Sequence, residues 1–419
     1  MILTSLVLVL LAVLGAPLFA IIGAGALLGF SRAEVDLTAV PIEIYGIAET
    51  PILLAIPLFT FAGYVLSESR AAARLVRLSA ALIGWLPGGL AMVAVATCSL
   101  FTAFTGGSGV TIIAIGALLF PALIQAGYGE RFTLGLVTSS GSLGLLFAPS
   151  LPLIIYGIIA EVSIDSLFVA GIVPGILMML ALAAFCLWHN RENRRPLSEF
   201  SWVEVRAAVR ESIWELPLPV VVLGGIYGGF FAVSEAAAVT VVYVLIVELF
   251  IYREVPLQRL VAIVRDSMVL VGGILLILGI SLASTNYMID AQVPQQLIEL
   301  VTRYVSSQTS FLLLLIGFLL LIGCILHIFS ALVLVVPLML PVAAQYGVDP
   351  VHLGIIFVAT MELGYLLPPI GLNLYISSYR FNRPVLDVCL ATLPFILILF
   401  GAVLLITFVP TLSLMFVKP

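Results

Sequence analysis

The sequence predicts an all-α polytopic membrane protein with an inverted repeat, two opposed re-entrant hairpins and two broken helices. Three observations lead to this fold class: the composition, the placement of the few charges, and a match between the two halves of the chain. Of the 419 residues, 63% are hydrophobic and 9% are charged, whereas soluble domains carry about 25% charged residues. This composition excludes a soluble enzyme, a secreted disulfide scaffold, a disordered chain and a nucleic-acid-binding protein.

Nine apolar segments are long enough to cross a bilayer, which takes about 20 residues. They are predicted at 2–30, 52–68, 131–160, 166–188, 216–233, 234–252, 267–289, 351–379 and 386–414. No basic residue precedes Arg32, so the first segment lacks the charged region of a signal peptide and is expected to stay in the membrane. Two longer apolar stretches, 88–126 and 311–346, are interrupted midway by polar or small residues. Each could form two spans or one re-entrant hairpin.

The loop charges favour the hairpins. Of the 17 basic residues, 14 fall in five clusters, at Arg70/Arg74/Arg77, Arg131, Arg191/Arg194/Arg195/Arg206/Arg210, Arg253/Arg259/Arg265 and Arg380/Arg383. The positive-inside rule places these clusters in the cytoplasm, and the acidic loops between them outside. This arrangement requires 88–126 to enter and leave on the cytoplasmic side and 311–346 on the external side. The N-terminus is then cytoplasmic and the C-terminus periplasmic.

The two halves of the chain match without gaps at an offset of 220 residues. Pro121, Gln125, Gly127, Leu143, Gly144, Leu146 and Pro149 fall on Pro341, Gln345, Gly347, Leu363, Gly364, Leu366 and Pro369. An inverted repeat with paired broken segments is typical of secondary transporters, whose site lies between the repeats. The amphipathic stretches Arg70–Trp85 and Gln292–Ser307 precede the two hairpins and are predicted to be interfacial arm helices, or plain connectors.

The chain is therefore divided into four parts. Residues 1–87 are predicted to form scaffold spans and an arm helix, and 88–188 the first transport repeat. Residues 189–310 would contribute a cytoplasmic loop, further scaffold spans and the second arm helix, and 311–414 the second transport repeat.

In the first repeat, small and hydroxyl residues interrupt the hairpin and the span that follows it. The hairpin break runs from Thr105 to Gly109, and the span break from Ser139 to Gly144. Glycines release the backbone from the helix and free carbonyl oxygens, which together with hydroxyls suit a hard monovalent cation such as Na⁺. The alternative is that these small residues only allow close helix packing.

In the second repeat, the breaks carry two ionisable groups at membrane depth, which is costly and points to function. His327 lies in the hairpin break that ends at Ser330, and Glu362 lies in the span break that continues to Asn373. Glu362 is interpreted as an ion ligand, a proton carrier or a structural acid capping a half-helix. His327 is either a coupling group or a satisfied polar core residue.

Other chemical groups give little indication of activity. The chain has no nucleotide-binding GxxxxGK[ST] loop and no HExxH motif, so it is not expected to be an enzyme or to carry a cofactor. The four cysteines are far apart in apolar stretches and are expected to be core residues. Glu235 is expected at a helix start, and Glu248 has no evident partner.

Several motifs along nearly the whole chain resemble one family. They are GSG at 107–109, PSLPLIIYG at 149–157, AGIVPG at 170–175, SEAAAV at 234–239, PVHLG at 350–354 and ELGYLLPPIGLNL at 362–374. In this order they resemble the large membrane subunit of tripartite ATP-independent periplasmic (TRAP) transporters.

The resemblance implies Na⁺-coupled uptake of an organic acid across a bacterial inner membrane by an elevator movement. The implied partners are a small four-span membrane subunit and a periplasmic substrate-binding protein. Ion ligands would be Gly106, Gly107, Ser108, Gly109, Ser142, Gly144, Ser330, Glu362 and Gly364. Substrate contacts would be Ser108, Pro149, Ser150, Ser330, Pro369 and Asn373. His327 and Glu362 would take part in coupling.

Two residues depart from the family pattern. Members often carry an acidic residue at the second hairpin tip, where this chain has His327, and two prolines where it has Ala148-Pro149. One alternative is therefore a stand-alone Na⁺- or H⁺-coupled anion transporter of a related elevator fold. A channel or scaffold subunit is a third alternative, which the paired breaks disfavour.

Overall fold

The computed structural model describes residues 7, 8, 10, 11, 14–86, 88–191 and 199–417, and all of its regular elements are helical. Arg194, Arg195 and part of the predicted first span lie outside the described residues. In the first half the helices are α1 (Leu18–Arg32), α2 (Ala39–Ala48), α3 (Ala55–Glu68), α4 (Ala71–Ile83), α5 (Gly89–Thr105), α6 (Ser108–Gln125), α7 (Glu130–Ser140), α8 (Leu151–Ala160) and α9 (Ile164–His189).

The second half continues the helical order. Its helices are α10 (Trp202–Glu211), α11 (Pro217–Tyr227), α12 (Val233–Leu245), α13 (Leu257–Asp290), α14 (Val293–Tyr304), α15 (Gln308–Gly323), α16 (Ile328–Gln345), α17 (Pro350–Gly364), α18 (Leu372–Phe381), α19 (Val385–Phe408) and α20 (Thr411–Leu414). A π-helical segment, Ile246–Ile251, extends α12.

The helix bounds repeat at the offset found in the sequence. Both ends of α6 fall on the ends of α16, and α7 and α17 begin at equivalent residues. The bonds Ala148-Pro149 and Pro368-Pro369 occupy equivalent positions and are both cis. In each repeat a helical hairpin (α5–α6, α15–α16) is followed by a broken span (α7–α8, α17–α18) and one long helix (α9, α19).

The described residues include seven helices long and apolar enough to cross a membrane, or up to nine when each bent pair is taken as one span. The chain bends by 43° between the two halves of the first broken span, and by 116° between α14 and α15. The two amphipathic stretches form α4 and α14, and their role as interfacial arm helices stays a prediction.

One predicted span differs from the structure. The segment 216–233 contains only α11, which has 11 residues and is about 17 Å long, too short to cross a bilayer. Gly228 and Gly229 end it, and Gly229 has a φ of +70°, a left-handed conformation that glycine adopts without strain. Hydropathy did not detect this end because the residues on both sides are apolar.

Each broken span packs against its own hairpin through a glycine. A Cβ on Gly144 would lie 2.3 Å from the Ser99 carbonyl oxygen, and a Cβ on Gly364 would lie 2.6 Å from the Gly323 Cα. Both distances are shorter than van der Waals contact. The repeat-related glycines therefore allow the backbones to approach and bring the hairpin tips beside the span breaks.

Candidate functional site

Both hairpin tips and both broken spans line one cavity of about 190 Å³. The first tip contributes residues 105–110 and the second His327, Ile328 and Phe329. The broken spans contribute Leu145, Leu151, Tyr365, Leu372 and Ile376. The elements that the sequence predicted to converge therefore meet at a common space.

The first hairpin tip is joined to the second broken span. Gly106 ends α5 with a φ of +67°, and α6 begins two residues later at Ser108. The Ser108 hydroxyl donates a hydrogen bond of 2.8 Å to Asn373 Oδ1, 265 residues away in the chain, and both side chains are buried. Asn373 Nδ2 has no hydrogen-bond partner among the described residues. This contact brings two of the predicted substrate residues together.

The second hairpin tip begins with His327, whose exposed side chain lines the cavity. Its Nδ1 lies 3.4 Å from the Phe329 N–H, at the start of α16. The Ile328 N–H donates to the Tyr365 hydroxyl at 2.6 Å, which ties this tip to the second broken span. His327 is therefore not a buried core residue, and Ser330 lies one turn further along α16, outside the cavity lining.

The first broken span carries a group of buried hydroxyls without partners. Ser139, Ser140 and Ser142 are at most 1% exposed, and none of their hydroxyls has a hydrogen-bond partner in the described part of the chain. By contrast, the Thr102 hydroxyl from α5 lies 2.7 Å from the Gly141 carbonyl oxygen and is satisfied there. The break thus leaves oxygen atoms available for another species.

The second broken span carries a buried carboxylate at the equivalent position. Glu362 is 1% exposed, and neither of its oxygens, nor the hydroxyl of Thr360, has a hydrogen-bond partner among the described residues. Glu362 falls on Ser142 under the repeat. It does not cap a half-helix, since no backbone N–H within the described residues donates to it.

Other predicted site residues lie near the cavity without lining it. Pro149 and Ser150 are buried, and the Ser150 hydroxyl donates to the Leu145 carbonyl oxygen. Pro369 is exposed, and its carbonyl oxygen accepts from Tyr375 at 3.4 Å. Gly144 and Gly364 serve helix packing, the alternative considered for small residues, and an additional ion contact from their backbones stays a prediction.

Helices outside the repeats also contribute residues to the cavity wall, and the sequence did not predict them. Tyr64 on α3 and Leu270 on α13 also line the cavity. No pattern distinguished them, because apolar and aromatic residues occur throughout this chain. Tyr365 was also missed, although it directly follows Gly364 within a recognised motif.

The remaining titratable and thiol groups have simpler surroundings. Glu235 accepts the Ala232 N–H at 2.9 Å, which confirms its position at a helix start. His352 is buried between the Ser413 hydroxyl and the Thr407 carbonyl oxygen, each at 3.2 Å. All four cysteines are unpaired. The described residues contain no group of three or more His, Cys, Asp or Glu side chains able to hold a metal ion.

Comparison with known families agrees with this arrangement. Residues 2–412 match the family model described as "Tripartite ATP-independent periplasmic transporter, DctM component". The chain belongs to this family. It is therefore a transporter component rather than an enzyme, and an integral protein of the inner membrane. The family implies a small membrane subunit and a periplasmic binding protein as partners.

Individual relatives cover nearly the same length. The C4-dicarboxylate TRAP transporter large permease protein DctM of Pseudomonas aeruginosa is 35% identical, over 94% of this chain and 92% of that protein. The ectoine/5-hydroxyectoine TRAP transporter large permease protein UehC of Ruegeria pomeroyi is 32% identical, over 98% of this chain and 96% of that protein.

A solved structure shares the fold at much lower identity. The YdaH transporter of Alcanivorax borkumensis superposes with a TM-score of 0.60 at 13% identity, over 89% of this chain and 87% of that chain. This likeness concerns the fold alone.

Proposed function

We propose that the protein carries out Na⁺-coupled secondary uptake of an organic acid as the large membrane subunit of a TRAP transporter. The substrate would be delivered by a periplasmic binding protein and moved by an elevator mechanism, with a small four-span subunit as partner. The observation that carries the proposal is the cavity in which both hairpin tips and both broken spans meet. Paired broken elements around a central site are the architecture of secondary transporters.

The cavity suits a small anion such as a carboxylate or dicarboxylate. Helices α6 and α16 both begin at its wall, at Ser108 and Ile328. The first-turn N–H groups and the dipole of a helix favour negative charge at its N-terminus. Among the described residues no lysine or arginine lines the cavity, so we assign substrate recognition to these N-termini with the Ser108 and Asn373 side chains. Pro149, Ser150, Ser330 and Pro369 would act from the adjoining breaks.

The coupling ions would occupy the two span breaks. In the first, the hydroxyls of Ser139, Ser140 and Ser142 have no partner among the described residues and would join carbonyl oxygens released at Gly106–Gly109 around Na⁺. In the second, Glu362 would supply a formal charge to Na⁺. Burying an ionised carboxylate without a counter-charge costs several kcal/mol, and a bound cation removes that cost.

A second candidate is proton coupling by a stand-alone transporter. The same lack of a partner at Glu362 fits a carboxyl that carries a proton, and His327 lines the cavity as a second titratable group. Here the protein would work without a binding protein, and the proton gradient would replace the Na⁺ gradient.

Reconstitution separates these candidates. The purified large and small subunits in liposomes, supplied with the binding protein and the radiolabelled ligand that it retains, should accumulate that ligand only under an inward Na⁺ gradient. Potassium in place of sodium should abolish uptake. Accumulation driven by a proton gradient without Na⁺ would contradict the proposal and support the second candidate, and uptake without the binding protein would support a stand-alone transporter.

A further inference from the structure

A buried ionic cluster lies away from the cavity, where arm helix α4 meets the end of α12. Arg74 of α4 contacts Glu215, Glu248 and Glu254, with the Glu254 and Glu248 oxygens at 2.5 and 3.3 Å. Its guanidinium also stacks 3.9 Å from the centre of the Tyr252 ring. The contacts join residues separated by 141 to 180 positions, so they fasten the arm to the neighbouring helices.

The charges of this cluster do not balance. One guanidinium faces three carboxylates, and the exposed fractions are 4% for Arg74, 7% for Glu215, 0% for Glu248 and 17% for Glu254. If all were ionised, two negative charges would remain uncompensated in a poorly hydrated place. Like charges so close disfavour simultaneous ionisation and favour a bound proton on one of them.

Of the three carboxylates, Glu248 makes the weakest contact with Arg74. It makes the longest of the three contacts to Arg74, and its second oxygen, Oε2, has no hydrogen-bond partner among the described residues. It lies in the π-helical segment Ile246–Ile251, an element that often marks functional positions. The more exposed Glu254 is also stabilised by the Arg70 N–H, at 2.8 Å from its Oε2.

Glu215 and Glu248 both border a small cavity of about 20 Å³. This is room for one water-sized species. The other walls are almost entirely apolar, with Phe101, Phe104 and Leu218 among them. A metal cation needs several oxygen ligands, which such walls do not provide, whereas a neutral carboxylic acid tolerates them.

We propose that Glu248 and Glu215 form a proton-binding site that, with Arg74, fastens arm helix α4 to the end of α12. The proton resides on the Glu248 carboxyl and turns it into a neutral group beside the Arg74–Glu215 ion pair. Its loss leaves two carboxylates facing one cavity and weakens the attachment of the arm. Because α4 packs against α5, the protonation state of the site also affects how firmly the first hairpin is supported.

The groups around the site act on its carboxyls in opposite directions, with Arg74 opposing burial. The charged groups that act on Glu248 are Arg74 from α4, Glu215 from the turn after α10, and Glu254 beyond the π-helical segment. Tyr243 from α12 lines the same cavity, and Tyr252 contacts Arg74 and Glu215. Burial raises the pKa of Glu215 above its ordinary value, although Arg74 and Tyr252 act in the opposite direction.

The sign of the pH effect follows from linkage. A carboxyl whose folded-state pKa is raised binds its proton more tightly in the folded protein. Its stabilising contribution is therefore complete below the unfolded pKa, about 4.3 for Glu, and is lost as the pH rises through the folded value. Attachment of the arm should weaken on the alkaline side.

Infrared difference spectroscopy of the complete transporter complex in nanodiscs tests the site directly. On raising the pH, the wild-type protein should lose the carbonyl band of a buried carboxylic acid, and this band should shift in D₂O. Glu248→Gln should lack that component. Glu204→Gln is the control, because Glu204 is an exposed partner of Arg77, and Glu362→Gln identifies any contribution from the other buried acid.

Glu215→Gln provides a second variant. Removing the neighbouring negative charge should make the Glu248 proton easier to lose, so the band should titrate at lower pH than in the wild type. The melting temperature should also depend less on pH in Glu248→Gln than in the wild type and in Glu204→Gln.

Two results would overturn the proposal. One is a Glu248→Gln spectrum with the same acid band as the wild type. The other is a Glu248 carboxylate that is ionised at every pH together with a Na⁺-induced rise in melting temperature that Glu248→Gln loses, which would identify a cation site.

Discussion

Glu362 and Ser142 occupy the same place in the two repeats but differ in charge. Both are buried and lack hydrogen-bond partners in the described residues. A hydroxyl without a partner costs about 1–3 kcal/mol, and a carboxylate costs more. The two breaks are therefore chemically unequal, and the second depends more strongly on a bound cation or proton.

This inequality predicts the effect of Glu362→Gln. Removing the charge at constant size should raise the Na⁺ concentration for half-maximal uptake by about tenfold, equivalent to about 1.4 kcal/mol, while the complex still assembles. Initial uptake rates in proteoliposomes at varied Na⁺ measure it. Glu235→Gln is the matched control, because Glu235 only accepts a backbone N–H at a helix start. An unchanged Na⁺ dependence in Glu362→Gln would remove this residue from the ion site.

The hydrogen bond between Ser108 and Asn373 predicts a separate effect on the substrate. Ser108→Ala removes the hydrogen bond that the buried Asn373 amide oxygen accepts and leaves that amide without a side-chain partner among the described residues, which costs about 1–3 kcal/mol. The substrate concentration for half-maximal uptake should rise by about tenfold. Ser310→Ala, at the exposed start of α15, should have no effect. Equal effects of both substitutions would indicate a general loss of stability rather than a role at the site.

Some residues of the cavity could be predicted from the sequence and others could not. Glycines and hydroxyls mark the tips because a helix break needs special residues, so the participation of Gly106–Gly109 and His327 in one cavity was predictable. Tyr64 and Leu270 were not, because their types are common throughout the chain. The partner of Glu248 was not predictable either, since Arg74 lies 174 positions away and only the fold brings them together.

At the element scale, the repeat offset was more informative than hydropathy. It places both ends of α16, the start of α17 and the cis prolines of the two span breaks at equivalent positions, because equivalent turns need the same glycines and prolines in both halves. Hydropathy alone extended the span containing α11 to residue 233, six residues beyond the end of α11 at Tyr227. In an apolar chain the ends of helices are determined by backbone conformation, as at Gly229, and not by a change in polarity.

The packing of the broken spans predicts a large effect for a small substitution. In Gly364→Ala the new Cβ would meet Gly323 Cα at 2.6 Å, backbone that cannot move aside as a flexible side chain can. Overpacking of this kind costs about 1–3 kcal/mol, so the melting temperature in detergent should fall and uptake should decline. Gly273→Ala on α13 meets nothing within 4 Å and should be neutral or stabilising, because alanine favours helix. Equal melting temperatures for the two variants would contradict the packing argument.

For the whole molecule, the wall of the cavity has two origins. The hairpin tips and broken spans come from the repeats, whereas Tyr64 and Leu270 come from α3 and α13 outside them. An elevator movement requires the repeat elements to travel together, and the wall formed by α3 and α13 to be left behind. The hydrogen bonds between the repeats, such as that from Thr138 on α7 to Ser377 on α18, should then persist through the transport cycle.

A disulfide across that pair tests the proposed movement. The Thr138 and Ser377 hydroxyl oxygens are 2.9 Å apart, so Thr138→Cys with Ser377→Cys places two sulfurs within reach of a bond of about 2.05 Å. In a background lacking the four native cysteines, oxidation should leave uptake within about twofold of the reduced protein, and each single variant should be indifferent to oxidant. Loss of uptake on oxidation with recovery on reduction would show that the two broken spans separate during transport, which a rigid elevator does not allow.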